Sequence, residues 1–214
     1  MPNELITASS RELATELTAY DEKMLSVFEY LGLPTNNILV KVDERRKVFK
    51  NIEDVLEPLS SETLETSTYI SKFLSAVSAG LFDAALNYLW DETVSQLRFR
   101  VSQYDIQYFF DLAVTSDKRT KLSTEDDLVK IDDSELIQGA KEIGLISDIG
   151  YRLLDNIKFM RNWASAAHPN QVELTGLQLI DWLETCIKEV ISLPLSNLTI
   201  QIGKLLRNIK TNTL

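Results

Sequence analysis

The chain has 214 residues, a formal net charge of −10, 44% apolar residues and 25% charged residues. This composition excludes wholesale disorder, and the length allows one generous domain or a smaller one with an extension. The acidic balance argues against a protein that coats nucleic acid through a broad basic face, while an enzyme that touches a few phosphates in one cleft stays open.

No apolar run reaches the roughly 18 residues of a membrane-spanning helix, and the first eleven residues lack a charged-then-apolar leader pattern. The expectation is a cytoplasmic protein that does not enter membranes. A single cysteine, Cys186, has no partner for an intrachain disulfide and fits a reducing compartment.

Helical periodicity dominates the chain. Over residues 10–31 the apolar set Leu13, Leu17, Tyr20, Met24, Val27, Phe28 and Leu31 recurs at three- and four-residue steps, with Gly32 as the stop. Residues 33–42 hold Pro34, two asparagines and a β-branched run; they read as a linker or extended arm, and are the one place for a short strand. A helix over 43–56 follows, ended by Pro58. It carries the most basic cluster of the chain, Arg45, Arg46, Lys47 and Lys50, which reads as a solvated face beside Glu44, Glu53 and Asp54, or as a contact for an acidic partner.

Ser60 and Ser61 open the next helix, which carries Tyr69, Ile70, Phe73, Leu74 and Val77 as far as Gly80. Residues 81–100 form a densely apolar helix with Phe82, Leu86, Leu89, Trp90, Val94 and Leu97 toward a core. A short aromatic helix (104–114), a charged loop (115–124) and two short acidic helices split near Ile131 come next. Long helices over 147–168 and 173–190 flank Pro169, and an amphipathic piece over 195–209 ends the chain. Trp90, Trp163 and Trp182 fall on apolar stripes and read as core. The predicted architecture is all-α, an antiparallel helical bundle.

Several chemistries are excluded. One histidine and one cysteine cannot build a zinc site of the usual ligands, and the seven glycines form no phosphate-cradling loop. No GxSxG or EF-hand pattern occurs, and adjacent acids such as Asp132 and Asp133 point in different directions on a helix.

The sole histidine lies in RNWASAAHPN, seven residues after Arg161, so two helical turns put Arg161 and His168 on one face with Ser165 between them. Pro169 disfavours helical geometry at the residue before it, which puts His168 in the final turn, where the helix dipole favours an imidazolium. Metal-free cleavage of RNA needs these groups. The ribose 2′-OH attacks the neighbouring phosphate, a base takes the nucleophile's proton, and an acid protonates the leaving 5′-oxygen. Histidine serves in either role, and a fixed guanidinium stabilises the phosphorane. Two proton transfers with one histidine per chain point to a homodimer with a shared cleft. The alternative reading is a lone histidine closing a helix and satisfied by a carbonyl.

In this context Arg161, Asn162 and His168 resemble the hallmark of the HEPN superfamily (higher eukaryotes and prokaryotes nucleotide-binding domains): an arginine, a polar residue, then a histidine after four to six positions. Here six positions intervene, and the preceding DSELIQGAKEIGLIS is similar to the acidic-then-apolar entry of the motif helix. The resemblance covers residues 60–190 and leaves the first 59 unexplained. It implies a dimeric bundle with metal-independent endoribonuclease activity, as in toxins of toxin–antitoxin or phage-defence systems, with an antitoxin or other defence subunit as a possible partner. It implies catalytic roles for Arg161 and His168, and a supporting or phosphate-contacting one for Asn162. Ser165, Lys158 and Arg98 are the candidate RNA contacts, and no metal or cofactor is called for. On this reading residues 1–59 are an N-terminal helical extension with a linker, and 60–214 the HEPN-like bundle. The other reading of the same fold is a non-catalytic dimerisation or binding module.

Overall fold

The computed structural model describes residues 10–164 and 173–192, and every regular element among them is a helix. The elements are α1 (Ser10–Tyr30), α2 (Val42–Leu56), α3 (Ser61–Thr66), α4 (Thr68–Ser78), α5 (Phe82–Ser102), α6 (Ile106–Ala113), α7 (Ser116–Arg119), a 3-10 helix (Glu125–Lys130), α8 (Asp133–Glu142), α9 (Asp148–Ala164), α10 (Gly176–Cys186) and a π-helical turn (Ile187–Ile191). The all-α class read from periodicity holds, and residues 33–41 form no strand. Two compact units divide the chain: Met1–Leu89 with Arg161–Glu184, and Trp90–Met160 with Thr185–Leu214.

In the first unit α1 packs on α2 and α2 on α4. The inward stripe of α2 is Arg45, Val48, Ile52 and Val55, at the three- and four-residue spacing that keeps side chains on one helix face. Arg45 is fully buried, which corrects its reading as part of a solvated basic face. Its Nη1 donates to Asp21 Oδ1 of α1 (2.9 Å) and to the Ser78 carbonyl (3.1 Å), its Nε to the Val40 carbonyl (2.8 Å), and its Nη2 to Asp21 Oδ2. A buried guanidinium persists only when its donors are satisfied, and this one finds carboxylate and carbonyl oxygens on three sides.

Helix α1 departs from expectation in another respect. Its apolar set recurs at helical spacing, yet Leu17 is the only buried side chain among those described, and Tyr20, Val27 and Leu31 are exposed. The single helix expected before Gly80 is two helices. Ser67 adopts an extended backbone, and its Oγ accepts from the Ile70 amide (3.1 Å), so this serine ends α3 and caps α4.

Helix α10 begins later than the expected residue 173. Thr175 caps it, with Oγ1 accepting from the Gln178 amide (3.3 Å) while Gln178 Oε1 accepts from the Thr175 amide (2.9 Å). The start of α10 lies against α2: the Gly176 amide donates to Glu44 Oε2 (2.9 Å).

In the second unit α6 packs on α8 at Gly139, where a Cβ would stand 2.6 Å from Ala113 Cβ and 2.7 Å from the Phe109 ring. The 115–124 segment, expected as a loop, contains the short helix α7 because Arg119 pins it. Its Nε donates to Asp111 (2.6 Å), its Nη1 to the Leu122 carbonyl (2.6 Å) and its Nη2 to Gln107 Oε1 (2.8 Å). Asp127 accepts from Lys130 and from the Ser123 and Thr124 amides, which together hold its carboxyl well below the usual range. Asp132 and Glu135 form a reciprocal capping box at the start of α8 (2.9 and 3.0 Å).

Trp90 is buried, and its indole N–H donates to Asp133 (2.6 Å). Trp182 of the first unit is buried as expected, whereas Trp163 is partly exposed. Helix α10 does not run unbroken to residue 190; it ends at Cys186 and passes into the π-helical turn, whose Ile191 carbonyl accepts from Arg100 Nη2 (3.0 Å). Cys186 is fully buried, and burial pushes its thiol up to about 12 against a smaller opposing pull from the Thr93 hydroxyl.

Candidate functional site

Helix α9 carries the motif. Its start is fixed by Ser147, whose Oγ accepts from the Gly150 amide (2.9 Å). A carboxylate oxygen of Glu189 occupies the space beside Gly150, 2.1 Å from where a Cβ would lie, so negative charge sits in the first turn as the helix dipole favours. Gly150, Leu154 and Ile157 are the buried residues of α9.

Arg161 and Asn162 stand in the last turn of α9. Asn162 is exposed; Arg161 is partly exposed, with its Nε buried. Both residues take part in interactions within the chain. His168 and Ser165 lie outside the described residues, as does the amphipathic piece expected over 195–209.

Lys158 sits in α9 with its ammonium donating to Ser134 Oγ (2.8 Å) and Asp155 Oδ1 (2.8 Å), and its side chain is 15% exposed. An RNA phosphate would have to compete with both contacts. Arg98 in α5 is partly buried, and its Nε makes no hydrogen bond. Glu92 of α5 is buried and accepts from Gln96 Nε2 (3.0 Å).

Sequence reasoning gave little weight to a second feature. A cleft of about 460 Å³ is lined by Lys41, Asp43, Glu44, Arg46, Lys47 and Lys50. It lies on the side of α2 opposite the Arg45–Val48–Ile52–Val55 stripe, because positions 43, 46, 47 and 50 repeat at helical spacing. Glu44 accepts from Lys47 Nζ (2.5 Å) and from the Gly176 amide (2.9 Å), and these two contacts hold its carboxyl below the ordinary carboxylate range. Asp43 pairs with Arg46 (3.1 Å). The signal in the sequence was the run of cations itself; which of them turn outward became visible only once Arg45 was placed inside.

Among the described residues no group of three or more His, Cys, Asp and Glu side chains is placed to hold a metal ion, and no helix is long and apolar enough to cross a membrane. No family model, curated protein or solved structure matches the chain.

Proposed function

We propose that the protein is a metal-independent endoribonuclease of HEPN type. The observation that carries the reading is the Arg161–Asn162…His168–Pro169 pattern, whose first two residues occupy the last turn of a long helix. In this reading the 2′-oxygen attacks the adjacent phosphorus and the P–O5′ bond breaks, leaving a 2′,3′-cyclic phosphate and a free 5′-hydroxyl. His168 moves a proton, Arg161 stabilises the phosphorane, and Asn162 contacts phosphate or holds the geometry. Each chain brings one histidine, so the second proton transfer is assigned to a second copy in a homodimer. The biological setting that goes with the resemblance is cytoplasmic: a toxin or an effector of phage defence, restrained or activated by another subunit.

The competing reading is a non-catalytic binding module of the same fold. It draws on the burial of Arg161 Nε, since a guanidinium turned partly into the protein is less available to a substrate.

Cleavage of RNA in the presence of EDTA separates the two. Wild type is expected to cleave, His168→Ala to lose activity by roughly 10²–10⁴-fold and Arg161→Ala by roughly 10²–10³-fold, each with its melting curve retained. A folded wild type that cleaves none of a varied RNA panel would transfer the assignment to the binding module.

A further inference from the structure

The cleft on α2 stands against the charge of the whole molecule. Four cations and two carboxylates line it, a local surplus of two positive charges on a chain of net charge −10. Both carboxylates are occupied from within: Glu44 by Lys47 and the Gly176 amide, Asp43 by Arg46. Lys41 and Lys50, by contrast, are exposed at the two ends of the lining and make no salt bridge or side-chain hydrogen bond with the described residues. A concave surface lined by one surplus sign concentrates counter-ions of the other, so the ligand is an anion.

The lining also says what kind of anion. Among the described residues it contains no aromatic or apolar side chain on which a base could stack, and no apolar wall for a hydrophobic ligand. Flexible lysines at both ends suit a chain of phosphates read without regard to sequence.

The cleft belongs to the same compact unit as Arg161 and Asn162. Glu44, in its lining, holds the amide of Gly176, which follows His168 by eight residues. Eight residues span at most about 29 Å by any path, so one RNA strand can reach both places.

We propose that this cleft is an anchoring subsite for the phosphodiester backbone of single-stranded RNA, with Lys41 and Lys50 neutralising phosphates of a strand held away from the scissile bond. The identity of the polymer rests on the ribonuclease reading; the polyanion preference rests on the cleft alone.

Binding is measured by fluorescence anisotropy of a labelled oligouridine on full-length protein carrying His168→Ala, so that cleavage does not intrude. Adding Lys41→Gln and Lys50→Gln is expected to weaken binding roughly tenfold and to lower the slope of log affinity against log salt by about 1.4, the value for two single-strand phosphate contacts. The control pair Lys23→Gln and Lys121→Gln makes the same change in net charge at exposed positions and is expected to leave affinity within about twofold. Equal losses in the two pairs, or none in the first, would overturn the subsite. Cleavage by wild type with an unaffected cleft variant would do so while sparing the ribonuclease. Cleft-dependent binding by a protein that never cleaves would keep the subsite and remove the ribonuclease.

Discussion

Arg45→Ala is expected to cost about 3–5 kcal/mol in urea-induced unfolding and to expose α1 to limited proteolysis. The substitution removes a fully buried guanidinium and strands the groups it satisfied: the Asp21 carboxylate and the carbonyls of Val40 and Ser78. The cost is that of leaving part-buried acceptors unpaired, which exceeds the net worth of the pair itself. Because Leu17 is the only buried apolar side chain described in α1, little hydrophobic burial backs up the ion pair there. Proteolysis should therefore begin in α1 at denaturant concentrations where the rest of the protein resists. Replacing both partners, Arg45→Met with Asp21→Leu, is expected to regain part of the loss, since the orphaned carboxylate is gone. A loss below about 1 kcal/mol for Arg45→Ala alone would mean that water satisfies these groups and that α1 is held by something else.

Gly176→Ala is the second large effect. A Cβ at this position would stand 2.0 Å from the backbone oxygen of Glu44 and 3.1 Å from Lys47 Cβ. The oxygen belongs to the main chain of α2 and cannot swing away, so the start of α10 must move. Overpacking of this kind costs about 1–3 kcal/mol, and the displaced Gly176 amide also loses its carboxylate acceptor. Leu177→Ala, one residue on and 57% exposed, is the matched control and should change stability by less than about 0.5 kcal/mol. Thermal melts of the two variants check this directly. If Gly176→Ala melts with wild type, α10 does not approach α2 this closely in solution.

The same residues show which parts of the fold could be read in advance. Helix α5 was legible because Phe82, Leu86, Leu89, Trp90, Val94 and Leu97 are all buried, and burial on one stripe is what periodicity reports. The stripe of α2 was half legible. Val48, Ile52 and Val55 mark it, and Arg45 stands at its head, but an arginine reads as solvated unless its partner is known. That partner, Asp21, is 24 positions away on another helix. The α3–α4 break was not legible because Ser67 is one of several serines and threonines in SETLETST, and its capping role depends on its own backbone angles.

At the candidate site, helical spacing was enough to put Arg161 and Asn162 on the long helix α9. It was silent on how the Arg161 guanidinium divides between the protein and a ligand. The cleft was legible only as a run of positive charge, since a linear pattern does not record concavity.

Cys186 gives the protein an internal clock. A thiol pushed up to about 12 and fully buried is neither a thiolate nor within reach of reagents while the helices around it stay closed. Every alkylation event therefore counts an opening of the second unit, and with one cysteine in the chain the count has a single source. The rate at which a maleimide consumes that thiol reads how often this unit breathes, with no label introduced and no residue changed.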